Sequence, residues 1–274
     1  MLKRFSLIML LLLPVQVLAG NEDEKISHLA ELLQLQPLFD VMRDEGIAYG
    51  KDLDREMLGG EGGIGWQRTI KDIYRPGRIW QTFLPSFNDK LQRADIDAMI
   101  GFFESDLGKR AVTLEVEARR ALLDKTIEEA SKERYRALSE SGSPRMKLLE
   151  DLVEANDLIE FNVMSALNGS YAFYTGLVDA RAFETPPGEA EVLKDVWAQE
   201  DEIRLDTNEW LYSYMLLAYQ PLNDDELRTY IEFSKSKAGR ALNAALFAGF
   251  DNVTVNVSRA LGLNAARFMR GEEL

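Results

Sequence analysis

The spacing of apolar residues constrains the fold of this chain most strongly. In the C-terminal part they recur every three or four positions, as on one side of an α-helix: Leu242, Leu246, Phe250, Val253, Val257, Leu261 and Phe268, with only Asn264 polar on the stripe. Val253, Val255 and Val257 also alternate with polar residues, as in a strand, but the longer register on both sides favours a helix. Similar stripes run from Ile73 to Leu91 and from Val112 to Ala130. The sequence therefore predicts an all-α fold, a helical bundle.

Residues 1–19 have the three-part layout of a secretory signal peptide. Lys3 and Arg4 precede the apolar run Phe5–Leu13, and small residues end in Ala19, where cleavage is expected. An uncleaved membrane anchor is the alternative, but Pro14 interrupts the run, and a span needs about 20 apolar residues. We therefore expect a periplasmic or secreted protein with no membrane span after cleavage.

Composition excludes several classes of function. The net charge is −14, and such a surface repels phosphate backbones and anionic headgroups, so no nucleic-acid binding is expected. The chain has no cysteine, so its stability must come from a buried core and not from disulfides. A chain of 274 residues with 46% hydrophobic content can build such a core. Nothing in the composition indicates the oligomeric state.

Helix-breaking residues divide the chain. Pro37 lies in an apolar segment and should kink a helix or open a new one. The segment Gly59–Gly65 (GGEGGIG) cannot lie inside a stable helix, because each glycine costs about 0.5–1 kcal/mol there. We expect a flexible linker and no phosphate cradle, since no strand precedes it. Ser139–Pro144 is the clearest linker, which predicts two helical halves, residues 20–142 and 143–274.

The two halves contain similar segments, residues 91–108 and 222–239, at an offset of 131. The identical positions are Leu91/Leu222, Ile100/Ile231, Phe102/Phe233, Ser105/Ser236 and Gly108/Gly239. In each copy we expect a short helix that buries its Ile and Phe, followed by a serine that caps a new helix and a glycine that admits a close neighbour. The second copy opens with a capping box from Asn223 to Glu226, whereas the first has Gln92 at the matching place and lacks that cap. The similarity of the two segments predicts an internal duplication.

This motif resembles domain-of-unknown-function family twenty fifty-nine, exported bacterial helical proteins marked by a phenylalanine, a serine and a glycine at this spacing. The matching residues are Phe102, Ser105 and Gly108, and again Phe233, Ser236 and Gly239. Family members commonly carry proline directly after the serine, where this chain has Asp106 and Lys237. The resemblance implies an all-helical fold and a location in the cell envelope, and it implies no catalytic residue.

The residues that usually carry chemistry are scarce. The common triads, zinc sites and iron sites need a properly placed histidine or several, whereas the single histidine, His28, lies near the expected mature N-terminus. Lys25 stands where a Glu-x-x-His motif needs its glutamate. We expect His28 on a helix surface or partly packed. The runs of carboxylates are expected on solvated faces or as helix caps: Glu128 with Glu129, Glu200 to Glu202, and Asp224 to Glu226. The sequence therefore predicts no catalytic residue, metal or cofactor.

Two long stretches carry no charge, Phe161–Val178 and Trp210–Leu222. If their helices face each other, they line either an ordinary core or an apolar pocket with a few polar groups, as small-molecule sites have. Three hypotheses follow. The first is a non-catalytic module that binds another envelope protein, and the second is a carrier or sensor for an apolar small molecule. The third is an enzyme, which would require a buried cluster of titratable groups.

Overall fold

The computed structural model describes residues 16–272, which contain helices and no strand. The thirteen helices of this range are α1 (Gln16–Leu32), α2 (Leu35–Met57), α3 (Gly63–Ile73), α4 (Pro76–Leu91), α5 (Ile96–Glu104), α6 (Asp106–Ala121), α7 (Lys125–Ser139), α8 (Pro144–Asn156), α9 (Leu158–Asp179), α10 (Glu189–Trp197), α11 (Glu200–Ala218), α12 (Asp224–Lys235) and α13 (Lys237–Met269). The predicted all-α fold is confirmed for this range. Residues 1–15 of the predicted signal peptide lie outside the described residues.

The longest helix, α13, organises the bundle by packing along both α4 and α9. It contains the three alternating valines, so the helix prediction is correct there. Helices α9 and α13 approach most closely where glycines meet backbone: a Cβ on Gly262 would lie 2.1 Å from the carbonyl oxygen of Phe173, and one on Gly176 would lie 2.4 Å from that of Arg259. Only glycine lets the two backbones come this close.

The buried core mixes residues from both predicted halves. Phe39, Phe83 and Phe87 of the first half pack against Leu242 and Val253 of α13. A second cluster joins α6 to α8, α11 and α12, and a third joins α2 and α3 to the C-terminal turns of α13. The predicted boundary near residue 142 falls in the turn between α7 and α8. These three clusters contain residues from both sides of it, whereas a fourth, smaller cluster of Val163, Leu167, Val192 and Val196 lies within the second half.

One predicted long helix is two helices. The stripe from Val112 to Ala130 breaks after α6, and the side chain of Asp124 then caps α7 by accepting the N–H of Thr126 at 2.8 Å. A cap of this kind satisfies backbone donors that a continuous helix would have paired, so the break is stable. As a result Leu123 and Ile127, predicted to continue the apolar stripe, are exposed.

The glycine-rich segment is a hydrogen-bonded turn where we expected a linker. Gly59 and Gly60 have φ of 64° and 80°, which residues with a side chain rarely adopt. The N–H of Gly62 donates to Asp54 Oδ1 at 2.9 Å, and α3 begins at the next residue. The linker prediction is therefore wrong for residues 63–65, which form the first turn of that helix. Pro37 lies in the first turn of α2, so it opens a new helix.

Candidate functional site

The two copies of the serine and glycine motif have the same backbone geometry. Ser105 has φ −65° and ψ 158°, and Ser236 has φ −67° and ψ 164°. Each serine Oγ accepts the N–H of the glycine three residues later, at 3.1 Å for Gly108 and 3.0 Å for Gly239. A Cβ on either glycine would lie only 2.2 or 2.1 Å from a carbonyl oxygen of the preceding helix. We call each unit a Ser–Gly turn, because the serine starts the new helix and the glycine lets it fold back on the old one.

The motif phenylalanines contact each other. The rings of Phe102 and Phe233 are stacked with centroids 3.9 Å apart and planes 7° apart. Both rings are half-buried, and so is Ile100. The predicted buried face of α5 is therefore wrong, since Ile96, Met99 and Phe103 are its buried residues. Phe102 and Phe233 can contact each other because each ring projects from the edge of the buried face of its own helix.

The starts of α5 and α12 differ. Asn223 and Glu226 form the predicted capping box, in which Asn223 Oδ1 accepts the N–H of Glu226 at 2.9 Å and Glu226 Oε2 accepts that of Asn223 at 2.8 Å. In the first copy Asp95 caps α5 by accepting the N–H of Ala98 at 3.0 Å. The first copy thus has a cap of its own, which we did not predict from Gln92. Relative to the shared motif, α5 also begins later than α12 does.

A cavity of about 370 Å³ lies among α6, α9, α11 and the first half of α13. One wall comes from α6, with Val112, Glu115, Val116 and Arg119. The α13 residues Asn243, Leu246, Phe247 and Phe250 also line it, and they stand at the same offset of 131 from the α6 set. The two uncharged stretches contribute Asn162, Ser165, Trp210, Leu211, Tyr214 and Tyr219. This volume falls within the range of about 300–1,000 Å³ that small-molecule sites have.

Glu115 lies inside the fold among three tyrosines. The hydroxyls of Tyr219 and Tyr230 both donate to its Oε1, at 2.7 and 2.8 Å, and the hydroxyl of Tyr214 donates to its backbone oxygen at 3.2 Å. The other carboxylate oxygen, Oε2, accepts no hydrogen bond from the described residues, and Glu115 lines the cavity. Burial raises the pKa of Glu115, and the two hydroxyl donors oppose that rise.

The tyrosines remain neutral donors. Burial raises the pKa of Tyr214, Tyr219 and Tyr230 well above the ordinary value of 10, and the negative charge of Glu115 raises each further. Their hydroxyl protons therefore stay in place to hold Oε1 of Glu115. This leaves Oε2 as the free acceptor of the site.

Arg119 stands one helical turn after Glu115 but is paired elsewhere. Its Nε and Nη2 donate to the two carboxylate oxygens of Glu45 on α2, at 2.8 and 2.9 Å. Burial lowers the pKa of Arg119, and the hydrogen bond and charge of Glu45 more than offset that, so the net direction is upward. The guanidinium fork is occupied by Glu45, and Arg119 makes no ion pair with Glu115.

Residues 78–136 match the family model DUF2059, described as an uncharacterized protein conserved in bacteria. This segment is similar to members of that family. The match confirms the predicted resemblance for the copy with Phe102, Ser105 and Gly108; the second copy lies outside the matched residues, and the duplication stays a prediction. No curated protein matches the chain, and no solved structure matches it.

The DUF2059 segment supplies α6 and so the wall with Glu115 and Arg119, while the tyrosines and the α13 wall lie outside it. Glu115 was missed at the sequence level because we considered only runs of carboxylates. A signal was present: it lies three residues after Val112 and one before Val116, which places a carboxylate on the buried side of the helix.

The residues considered for chemistry from the sequence lie on the surface. His28 is exposed on α1, with Nε2 2.9 Å from Glu104 Oε1. The predicted carboxylate runs form ion pairs there, as Glu128 does with Lys132 at 2.7 Å and Asp224 with Arg145 at 2.8 Å. Among residues 16–272 no group of three or more His, Cys, Asp or Glu residues is placed to hold a metal ion.

No helix in the described part of the chain combines the length and the apolar character that crossing a bilayer requires.

Proposed function

We propose that this protein is an exported carrier or sensor that binds a small, largely apolar molecule in the cavity among α6, α9, α11 and α13. The observation that supports the proposal is the cavity itself, with mainly apolar walls and one free carboxylate oxygen. The cavity volume of about 370 Å³ is large enough to hold a small organic molecule. A concave apolar site with a few convergent polar groups is the usual form of a small-molecule site.

Binding suits the cavity better than catalysis does. Of its ionisable lining groups, Glu115 and Arg119 are both engaged with protein partners, and the tyrosines keep their protons. The described lining residues include hydroxyls such as Ser165 and Thr254, but no histidine or lysine to activate one as a nucleophile. Glu115 and its tyrosines form the buried titratable cluster that an enzyme would require. This cluster offers one acceptor oxygen, Oε2, but no second reactive group beside it.

The binding proposal can be tested with a neutral fluorescent probe, N-phenyl-1-naphthylamine, whose emission rises in apolar surroundings. Ser165 lines the cavity, so Ser165→Phe should fill it and abolish probe binding, provided that the unfolding midpoint shows a folded protein. Met164 is the neighbouring exposed residue on α9, and Met164→Phe is the matched control that should bind like the wild type. Equal binding by both variants would place the probe outside the cavity and count against the proposal.

The identity of a resident molecule needs a second measurement. Native mass spectrometry of gently purified wild-type protein should show an added mass that the Ser165→Phe variant lacks. A spectrum that shows only ligand-free protein, together with no probe binding, would contradict the proposed function.

Export is part of the same proposal. The signal-peptide layout supports cleavage after Ala19, so mature protein from a bacterial host should begin at Gly20. Intact-mass measurement of the fractionated protein checks this. Recovery of the chain with Met1 in the cytoplasmic fraction would contradict it.

The alternative, a non-catalytic module that binds another envelope protein, is favoured by one surface. Leu193 and Trp197 lie one turn apart on α10, and Trp197 is 51% exposed. Large apolar side chains grouped on a surface often mark a protein contact. A photocrosslinking residue in place of Trp197 should then give a discrete adduct that the same residue in place of Asp201 does not. The same adducts from both positions, or none from position 197, would speak against this alternative.

A further inference from the structure

The two long walls of the cavity differ in chemistry. On α6, Glu115 and Arg119 are charged, whereas the corresponding lining positions on α13, Leu246 and Phe250, are apolar. A molecule that fits between the walls therefore meets a polar side and an apolar side. This arrangement selects amphipathic molecules over purely apolar ones. A purely apolar ligand would remove water from the polar groups of the α6 wall without offering them a hydrogen-bond partner, which costs free energy.

The polar side has a carboxylate without a cation. Of the described residues that line the cavity, Arg119 is the only cation, and its Nε and Nη2 are held by Glu45 at 2.8 and 2.9 Å. Glu115 is held by neutral tyrosine hydroxyls on Oε1 alone. Counting Glu45, Glu115 and Arg119 together, the ionised site has one more negative charge than positive. A buried carboxylate is stabilised by a hydrogen-bonded cation, and here the protein supplies none.

The geometry leaves one place for that cation. Because Tyr219 and Tyr230 both donate to Oε1, they fix the carboxylate of this cavity-lining residue and leave Oε2 without a hydrogen bond from the described residues. A group bound there needs an N–H or O–H to donate. A protonated amine donates and also neutralises the charge, whereas an alcohol only donates and a carboxylate is repelled.

We propose, resting on the proposed function, that the cavity selects amphipathic amines, with the ammonium group on Glu115 Oε2 and the apolar chain against Leu246 and Phe250. Glu115 is then the specificity-determining residue, and Tyr219 and Tyr230 are positioning residues that orient its carboxylate. The strongly acidic chain, with a net charge of −14, also attracts cations to the protein.

The test compares three probes with the same apolar chain at pH 7.5: octylamine, 1-octanol and octanoate, each used to displace N-phenyl-1-naphthylamine. We expect octylamine to bind about tenfold more tightly than octanol, because both donate a hydrogen bond to the carboxylate but only the ammonium group also neutralises its charge, and we expect octanoate to bind weakest. In Glu115→Gln, which keeps the shape and an acceptor but not the charge, the preference for amine over alcohol should disappear. Glu117→Gln, an exposed position on the same helix, should bind like the wild type.

The outcomes separate this inference from the proposed function. If octanol or octanoate binds as well as octylamine, or if Glu115→Gln keeps the amine preference, the inference is overturned while binding in the cavity stands. If none of the three displaces the probe and the probe itself does not bind, both are overturned. The ranking in the wild-type protein decides the case even if Glu115→Gln fails to fold.

Discussion

The α6 and α13 walls of the cavity begin alike and end differently. Each follows a Ser–Gly turn with the same backbone angles, and each projects residues at the same offset into the cavity. Yet α6 presents Glu115 and Arg119 where α13 presents Leu246 and Phe250. The difference teaches that the direction of each helix is set at its first turn by serine and glycine. The side chains further along are free to set the chemistry of the cavity without altering that direction.

The largest expected effect comes from closing the space that the Ser–Gly turns need. Gly108→Ala and Gly239→Ala each bring a Cβ to about 2 Å from a backbone oxygen, which cannot move away as a flexible side chain would. We expect each to lower the free energy of unfolding by about 3 kcal/mol, the upper part of the range for overpacking. Urea denaturation measures both. Equal losses would show that the two walls depend on their turns to the same degree.

Gly101 provides the control for these variants. It lies in α5 with nothing within 4 Å of an added Cβ, so Gly101→Ala should raise stability by about 0.5–1 kcal/mol through helix propensity. If Gly239→Ala proves as harmless as Gly101→Ala, the close contact does not determine the turn.

The second prediction breaks the contact between the two copies. Phe102 and Phe233 are stacked at 3.9 Å and half-buried, so each change to alanine should cost about 2 kcal/mol, less than at a fully buried position. The double variant should cost less than the sum by about 1 kcal/mol, because the stacking energy is lost only once. Phe268, near the far end of α13, is the control: its loss should add to that of Phe233 within about 0.5 kcal/mol.

The sequence predicted what local spacing and helix ends determine. Apolar stripes predicted the helices, Pro37 predicted a kink or a helix start, and Asn223 with Glu226 predicted a capping box. These features were predictable because each depends on residues within one or two helical turns. The break at Asp124 was missed because an apolar stripe can continue in register across two helices. The serines and glycines of the Ser–Gly turns were recognised because the motif recurs.

The polar centre of the cavity was out of reach of such reasoning. Tyr219 and Tyr230 donate to Glu115 across more than 100 residues of chain, and that contact depends on how α6, α11 and α12 pack. Periodicity placed Val112 and Val116 on a buried face and so could have flagged Glu115 between them. It could not have shown that one carboxylate oxygen would be held by tyrosines and the other left open.

The third prediction concerns the tyrosines that hold the charged wall. The pKa of Tyr214 is raised well above 10 in the folded protein, so its contribution to stability is fully present below pH 10 and is lost as pH rises beyond that value. Each such group contributes about 1.4 kcal/mol per pH unit to that loss. In Tyr214→Phe the fall in unfolding free energy above pH 10 should therefore be shallower by this amount.

Denaturation curves between pH 9 and 11 check the slope. Ser165→Ala removes a cavity hydroxyl that does not titrate in this range, and its slope should match that of the wild type. A Tyr214→Phe slope equal to that of the wild type would mean that Tyr214 titrates alike in the folded and unfolded states. The neutral donors assigned to the α6 wall would then need to be reconsidered.

The smallest effect expected separates the two Ser–Gly turns themselves. Ser105→Ala and Ser236→Ala each remove an Oγ that satisfies one of the free N–H groups at a helix start, at a cost of about 1 kcal/mol. Gly108 and Gly239 are both buried, but Ser105 is exposed, so water can reach the lost bond more easily there than at Ser236, which is half-buried. We therefore expect Ser236→Ala to cost more than Ser105→Ala, because an unmet buried donor bears the desolvation penalty.

Thermal unfolding can resolve this difference if each cap is also replaced by aspartate, which caps a helix as well as serine does. Ser105→Asp and Ser236→Asp should restore most of the stability, while Ser139→Ala, inside the last turn of α7, should change it by less than about 0.5 kcal/mol. A larger loss at Ser105 than at Ser236 would reverse the order that burial dictates. The two Ser–Gly turns would then share a backbone conformation but not the interaction that stabilises it. Ser105 would in that case stabilise the protein by a contact other than its helix cap.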